Sequence, residues 1–184
     1  MKNIAILFSG DGTNFEYLIK NLDKNKVCIK QAICNNQNAK GIDIAKANSI
    51  NLEIIDSSKF QVREEFDEVL VQTIKKAGVD LVVLAGFMRI LTPVFTKNIK
   101  AINLHPSLLP RHKGTNAIAK SFYDEFLEGG VSVHYVNDEL DGGEIILQRE
   151  IFKDGLSFGE YYEEIKKQEK EALIDAIYQV LEVR

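Results

Sequence analysis

The segment N-I-A-I-L-F-S-G-D-G-T-N, residues 3–14, decides which fold this 184-residue chain can adopt. Its first six residues form a continuous apolar run, which is typical of a strand that is covered on both faces. A glycine-rich turn follows, and helical spacing then relates Phe15, Leu18, Ile19 and Leu22. A buried strand that leads through a tight turn into a helix predicts a parallel, doubly wound α/β sheet.

Strands and helices go on alternating through the first half of the chain. The predicted strands lie at 27–34, 51–55, 79–85 and 100–104, and the predicted helices at about 41–48 and 66–77. We expect the longer helix to stop at Gly78, because glycine is favoured just past a helix C-terminus.

The last third of the chain changes character. A predicted helix near 114–128 leads to strands at 131–136 and 144–151, which are separated only by the turn L-D-G-G at 140–143. Strands joined without a helix between them favour antiparallel pairing. We therefore expect a single domain over residues 1–184, a Rossmann-like α/β fold whose mostly parallel, doubly wound sheet carries an antiparallel C-terminal extension.

Composition narrows the classes of function. The chain has 23 basic and 27 acidic residues, a formal charge of −4, whereas a nucleic-acid-binding protein needs a basic surface for phosphates. Its longest apolar run, 81–88, is far shorter than the ~20 residues that cross a bilayer. A strand pattern at the N-terminus leaves no room for a signal peptide. We expect a soluble, cytoplasmic protein that binds neither nucleic acid nor membrane.

Cysteine and histidine spacing argues against a metal site. Cys28 and Cys34 lie on one predicted strand, where they cannot easily form a disulfide and match no zinc motif. His112 and His134 show no metal-ligand spacing either. We therefore expect no metal cofactor.

Polar residues at the end of the strand at 100–104 are the first candidates for chemistry. Asn103 and His105 are two residues apart, so their side chains share one face of the strand. An amide donor beside an imidazole can stabilise a developing oxyanion while a proton moves near neutral pH. The alternative is a buried histidine that the backbone satisfies. Asp141 would orient such a ring if it lay beside it, although Asp-Gly alone indicates a turn.

The turn at 9–14 is the second candidate. Gly12, Thr13 and Asn14 can cradle a phosphate, because the free amides at a helix N-terminus bind anions. The turn lacks the third glycine of a dinucleotide motif. A plain turn with a helix cap is the alternative. Asp11 would repel a phosphate unless its side chain points away.

The last helix supplies a third candidate. It is expected to start at Ser157, with Glu160 completing a capping box. Glu169 falls in the middle of an apolar stripe on this helix. The stripe consists of Tyr162, Ile165, Ala172, Leu173 and Ala176. Because a buried acid is costly without a partner, Glu169 favours a ligand contact over a surface position.

Four motifs together resemble one enzyme family. They are S-G-D-G-T-N at 9–14, L-A-G-F-M-R-I-L at 84–91, N-L-H-P-S-L-L-P at 103–110 and D-E-L-D-G-G at 138–143. Over essentially the whole chain they are similar to the phosphoribosylglycinamide formyltransferases, folate-dependent enzymes of purine synthesis. The resemblance implies transfer of a formyl group from 10-formyltetrahydrofolate, a co-substrate, to the amine of glycinamide ribonucleotide. It also implies small-molecule substrates and a monomer or weak homodimer.

The resemblance assigns site residues position by position. Asn103, His105 and Asp141 match the family's catalytic trio. The implied ribonucleotide-binding residues are Gly12, Thr13, Asn14, Lys166 and Glu169. The implied folate-binding residues are Arg63, Met88, Arg89, Ile90, Leu91, Asn103, Asn137, Asp138, Glu139, Leu140 and Asp141. Without the resemblance, G-F-M-R-I-L at 86–91 would indicate core packing followed by one surface arginine.

The chain departs from the family's usual sequence in two places. Asp11 stands where asparagine, arginine or serine is usual. Residues 111–116, R-H-K-G-T-N, lack the aromatic-Pro-Gly-Leu-His sequence of many members.

Three other functions are weighed against this one. Methionyl-tRNA formyltransferase needs a further C-terminal domain and a basic surface, and formyltetrahydrofolate deformylase usually carries an N-terminal regulatory domain; we expect none of these here. A catalytically silent nucleotide- or folate-binding module is the third alternative, against which the intact trio argues.

Overall fold

The computed structural model describes residues 1–183, in which seven strands and six α-helices follow one another. The strands are β1 (Lys2–Phe8), β2 (Val27–Cys34), β3 (Leu52–Ile54), β4 (Leu81–Leu84), β5 (Ala101–His105), β6 (Glu128–Tyr135) and β7 (Ile145–Phe152). The helices are α1 (Thr13–Asn21), α2 (Gly41–Ala47), α3 (Arg63–Ala77), α4 (Pro93–Thr96), α5 (Ala117–Tyr123) and α6 (Phe158–Leu181).

The strands form one mixed sheet in the order β3-β2-β1-β4-β5-β6-β7. β1 pairs in parallel with β2 and β4, and β2 pairs in parallel with β3. β6 and β7 pair antiparallel. The predicted fold class, a mostly parallel α/β sheet with an antiparallel C-terminal part, is confirmed.

The chain divides into two compact units, Met1–Ile102 with Val183, and Asn103–Glu182. In the first unit, every side chain from Ile4 to Phe8 is fully buried, as the apolar run predicts. Phe8 stacks on Phe15 of α1 with 5.2 Å between ring centroids. Burying each of the two phenylalanine side chains contributes about 1.5–3 kcal/mol. The packing holds α1 so that the turn at 9–14 lies at the carboxyl end of β1.

In the second unit, α6 packs its apolar face against β6, β7 and α5. Tyr161 is fully buried and its hydroxyl lies 3.0 Å from Ser121 Oγ of α5. A Cβ at Gly129 of β6 would come within 1.8 Å of that hydroxyl, so this contact requires glycine. The predicted stripe of α6 is wrong at one position, because Tyr161 is buried whereas Tyr162 is 40% exposed. The prediction of a single domain over residues 1–184 remains a prediction.

The predicted elements agree with the structure to within three residues at each end, except near 114–128. There the helix covers only Ala117–Tyr123. It cannot begin earlier because Gly114 and Asn116 have φ of +78° and +60°. It ends because Asp124 is extended and the Lys153 ammonium takes the Ser121 carbonyl at 2.6 Å. The sequence analysis also missed α4, although Thr92 caps it and Pro93 opens it.

Replacing Ser157 tests how much the capping box contributes to stability. Ser157 Oγ accepts from the Glu160 N–H at 3.3 Å, and the Glu160 carboxylate accepts from the Ser157 N–H at 2.8 Å. We expect Ser157→Ala to cost about 1 kcal/mol, which lowers Tm by about 2–4 °C in a chain of this size. Ser157→Thr keeps the capping oxygen and serves as the control in thermal denaturation. Equal Tm values for the two variants would contradict the role of the cap.

Candidate active site

Asp141 brings the two polar residues of β5 into one cluster. The Nδ1 atom of His105 lies 3.4 Å from Asp141 Oδ2, and the Nδ2 atom of Asn103 lies 3.4 Å from Asp141 Oδ1. His105 is 5% exposed and Asn103 is half-buried. The side chains that the sequence places on one face of β5 therefore point at the same carboxylate. The turn at 140–143 supplies that carboxylate in addition to reversing the chain direction.

The Asp141 carboxylate is buried and held from several sides. Its Oδ2 atom accepts from the Gly114 N–H at 2.8 Å. Burial opposes its negative charge, but hydrogen bonding with His134 and Gly114 and the charge of His105 outweigh burial and hold the pKa of Asp141 below its ordinary value. Its φ is +49°, a left-handed conformation that Asp tolerates better than most residues. The carboxylate thus stays ionised beside His105 at neutral pH.

His134 is a member of this cluster that the sequence analysis missed. Its Nδ1 atom lies 2.8 Å from the Tyr135 carbonyl, which can only accept, so Nδ1 carries a proton. Its Nε2 atom lies 3.3 Å from Asn103 Nδ2 and 3.6 Å from Asp141 Oδ1. A signal was present in β6, where Ser132 and His134 alternate with two valines and therefore form a polar face.

The ring of His105 is held at both nitrogens. Its Nε2 atom lies 2.9 Å from the main-chain carbonyl of His112, and Nδ1 faces Asp141. Because a carbonyl only accepts, Nε2 carries a proton. The 3.4 Å separation at Nδ1 is longer than a usual N–H···O bond, so Nδ1 is the less firmly engaged nitrogen.

In the first unit, the turn at 9–14 opens α1 through Gly12. Gly12 has φ of +73°, and a Cβ there would lie 2.8 Å from the Gly41 Cα. No side chain caps α1, so its first N–H groups are not taken by a cap. Asn14 Oδ1 is buried without a hydrogen-bond partner. Asp11 is exposed and pairs with Lys40 at 3.2 Å, so its charge is partly offset.

Ser9 joins this turn to the segment after β4. Its N–H donates to the Gly86 carbonyl at 3.0 Å, and its hydroxyl accepts from the Met88 N–H at 2.7 Å. Met88 and Ile90 are 82% and 52% exposed, whereas Leu91 is buried. These exposed apolar side chains are not core, so the packing interpretation of 86–91 is wrong for them.

The first unit also contains the two arginines that the resemblance assigns to folate. Arg89 is half-buried, with its guanidinium 4.2 Å from the centroid of the Phe66 ring and its Nε without a partner. Arg89 is therefore not a plain surface arginine. Arg63 is the exposed first residue of α3.

The remaining predicted residues lie in the second unit. Glu169 is 4% exposed, as predicted for an acid inside the apolar stripe, and Lys166 Nζ lies 2.8 Å from its carboxylate. The loop at 137–140 is exposed along its whole length, including Leu140 at 50%. Its Asn137 side chain accepts from the Glu139 N–H at 3.0 Å, which makes a local turn.

Residues 1–183 contain no group of three or more metal-binding side chains. The expectation that the protein needs no metal stays a prediction. Over the same described range, no helix combines the length and the apolar character that crossing a bilayer requires.

Comparison with known proteins places the chain among enzymes of one kind. Residues 2–177 match the model of the formyl transferase family. Phosphoribosylglycinamide formyltransferase of Escherichia coli (strain K12) is 38% identical over 153 residues, which cover 81% of this chain and 72% of that protein.

Solved structures agree with the sequence comparison. The crystal structure of phosphoribosylglycinamide formyltransferase from Campylobacter jejuni has a TM-score of 0.94 and 49% identity, over 97% of each chain. Glycinamide ribonucleotide transformylase 1 from Symbiobacterium toebii has a TM-score of 0.92 and 28% identity, over 100% of this chain and 89% of that one. The similarity thus extends along nearly the whole sequence.

Proposed function

The chain belongs to the formyl transferase family, and from this premise we propose how its residues carry out the reaction. It transfers the formyl group of 10-formyltetrahydrofolate to the amine of 5′-phosphoribosylglycinamide, giving formylglycinamide ribonucleotide and tetrahydrofolate in de novo purine biosynthesis. One observation supports our assignment of the chemistry above all: Asn103 and His105 both direct nitrogen atoms at the buried carboxylate of Asp141.

Asn103 and His105 are the proposed donors to the reacting oxygen. The amine of the ribonucleotide attacks the formyl carbon, and negative charge develops on the formyl oxygen. The Asn103 amide and the Nδ1–H of the protonated His105 ring are held 3.4 Å from Asp141, at distances loose enough for both to turn to that oxygen. Both donors are in place before the charge forms, which is the condition for effective electrostatic stabilisation.

His105 and Asp141 also serve the proton transfer. The attacking amine must lose a proton, and the folate nitrogen must gain one as its bond to the formyl carbon breaks. His105 gives its Nδ1 proton to the folate nitrogen, directly or through a water molecule, and takes back the proton that the amine loses. The ionised Asp141 stabilises the doubly protonated ring before the first transfer and after the second. No covalent bond to the protein is needed.

The ribonucleotide is assigned to two places in the chain. Its phosphate would accept from the uncapped amides at the start of α1, at Gly12, Thr13 and Asn14. Glu169 would accept from its ribose hydroxyls, with Lys166 keeping the buried acid paired. The ammonium gives the buried carboxylate a partner inside the apolar stripe and leaves it further acceptor positions for a ligand.

Folate is assigned to two exposed segments. In the first unit, Met88 and Ile90 offer apolar surface to the flat pterin ring, and Arg63, Arg89 and Leu91 complete the set. In the second unit, the loop of Asn137, Asp138, Glu139 and Leu140 leads into Asp141. Exposed apolar side chains beside polar backbone suit a ligand with an aromatic face and hydrogen-bonding edges.

The setting of the reaction is part of the proposal. With a net charge of −4, the protein is proposed to act in the cytoplasm on small molecules, without nucleic acid, membrane or metal. It is proposed to work as a monomer or weak homodimer.

Formyl transfer by the purified protein tests the function directly. The protein is incubated with 10-formyltetrahydrofolate, with and without glycinamide ribonucleotide, and both products are measured. Formylated ribonucleotide that appears only with the acceptor is the expected result. Formate released without the acceptor would show a deformylase instead, and ligand binding without turnover would show a silent binding module.

Gly12→Ala tests the phosphate assignment. The variant forces a Cβ into the left-handed region and to within 2.8 Å of Gly41, so the turn must shift. We expect KM for the ribonucleotide to rise about 10-fold or more, the loss of roughly one charge-assisted hydrogen bond, while KM for folate changes little. Gly78→Ala is the matched control, because Gly78 has φ of +62° and no close neighbour besides Lys30. An unchanged KM in Gly12→Ala would remove the phosphate from this turn.

A further inference from the structure

The segment R-H-K-G-T-N at 111–116, where the sequence departs from many relatives, contacts two members of the catalytic trio. The His112 carbonyl accepts from Nε2 of His105 at 2.9 Å. The Gly114 N–H donates to Asp141 at 2.8 Å. The position of this segment therefore sets the orientation of the His105 ring and of the carboxylate beside it.

His112 is held in an unfavourable backbone conformation. Its φ is +57°, in the left-handed region, which a non-glycine residue adopts only at a cost in free energy. This backbone conformation needs a stabilising contact, and the His112 side chain makes one. Its Nε2 atom lies 2.6 Å from Asp124 Oδ2, which is the distance of a strong, charge-assisted hydrogen bond.

Asp124 is in turn fixed by a second buried charge. Lys153, which directly follows β7, lies 2.5 Å from Asp124 Oδ1, and the two side chains are only 8% and 12% exposed. Lys153 also donates to the Ser121 carbonyl at the end of α5. Burial acts against the charge of Asp124, but hydrogen bonds from Lys153 and His112 outweigh it and lower the pKa of this carboxyl.

These contacts form one chain of hydrogen bonds that ends on the catalytic imidazole. We propose that Asp124, anchored by Lys153, is a positioning residue that holds His112 so that its carbonyl pins the Nε2–H of His105. Pinning Nε2 leaves Nδ1 as the nitrogen that faces Asp141 and the substrate. The proposal rests on the function proposed above, because it assigns the working nitrogen of His105 in that reaction.

A purely structural role for the ion pair is the competing explanation. In that case the pair only closes the end of α5, and its loss lowers stability without changing the chemistry of the folded protein. The two explanations differ in what they predict for kcat and for the protonation of the His105 ring. Both can be measured in the same variants.

His112→Asn is the decisive variant. Asparagine tolerates the left-handed conformation, but it cannot reproduce the bond from the imidazole to Asp124. We expect kcat to fall about 10-fold, less than the ~10²-fold that a misplacement of 1 Å can cost, with KM for both substrates within about twofold. In ¹⁵N spectra of labelled histidine, the neutral form of the His105 ring should carry its one proton on Nε2 in the wild type and on either nitrogen in the variant.

Arg149→Gln is the control, on the strand β7 that precedes Lys153. Arg149 pairs with Glu171 at 2.9 Å and also with Asp175, so its loss removes ion pairs that include neither the trio nor the segment at 111–116. It is expected to lower Tm while kcat and the His105 spectrum stay as in the wild type. If His112→Asn does not fold, Asp124→Asn keeps the shape and an acceptor for Lys153, and the same fall in kcat and change in the spectrum are expected.

The outcomes separate this proposal from the proposed function. Folded variants with wild-type kcat and an unchanged His105 spectrum would overturn the positioning role. A wild-type protein that transfers no formyl group would overturn the proposed function, while the His105 spectra of wild type and variant would still show whether His112 pins the ring.

Discussion

His105→Ala is expected to lower kcat by about 10²-fold or more while ribonucleotide binding stays nearly unchanged. The variant removes the Nδ1 donor to the developing oxyanion and the group that passes the proton, and general acid–base catalysis alone is worth about 10²–10⁴-fold. The ring contacts Asp141 and the His112 carbonyl, neither of which belongs to the segments assigned to the ribonucleotide. We therefore expect a lower kcat and an unchanged affinity for the ribonucleotide.

Single-turnover kinetics and calorimetry test the two halves of this expectation separately. Steady-state kcat and the single-turnover rate should fall together, because the lost group acts on the chemical step. The dissociation constant of the ribonucleotide, measured by calorimetry, should stay within about threefold. A His105→Ala protein with kcat near that of the wild type would take histidine out of the mechanism.

Asp141→Asn is expected to lower kcat by a similar factor, about 10²-fold, while the conformation of the turn changes little. Asparagine tolerates φ of +49° and can still accept from the Gly114 N–H, so the turn should persist. What is lost is the negative charge beside His105, and with it the stabilisation of the doubly protonated ring during proton transfer. Asp141→Ala removes both the charge and the acceptor for the Gly114 N–H, so it should lower stability as well.

The pH dependence of stability gives a second test of the Asp141 carboxylate. Its pKa is lowered in the folded protein, so its ionised form stabilises the fold above its unfolded pKa of ~4, and this contribution is lost as pH falls through the folded pKa. The Tm difference between the wild type and Asp141→Asn should therefore narrow on going from neutral to acid pH. A difference that stays constant down to about pH 2 would show that the carboxylate has no favourable partners.

The fold could be predicted because its signals are local. The apolar run before Ser9 indicates a covered strand whatever lies on either face, and the capping box at Ser157 lies within four residues. The error at 114–128 has the opposite origin. Phe126 and Leu127 continue a helix-like pattern, yet both are exposed. α5 ends where the ammonium of Lys153, a residue distant in sequence, binds its last carbonyls.

The trio could be approached from sequence because strand geometry places Asn103 and His105 on one face. The contact with Asp141 is not local, and only the family resemblance pointed to it. His134 was accessible in principle through the alternation of β6. The role of His112 was not, since it acts on His105 through a main-chain carbonyl, and every residue type has one.

The left-handed backbone at Asp141 also limits how this position can change over time. One nucleotide change in an aspartate codon gives asparagine, glycine, histidine, tyrosine, alanine, valine or glutamate. Asparagine and glycine adopt positive φ readily, but neither carries a negative charge. Glutamate keeps the charge, but it is longer and lacks that backbone tolerance. Every replacement that one nucleotide change can produce therefore loses either the backbone conformation or the carboxylate. No single substitution at this position keeps both.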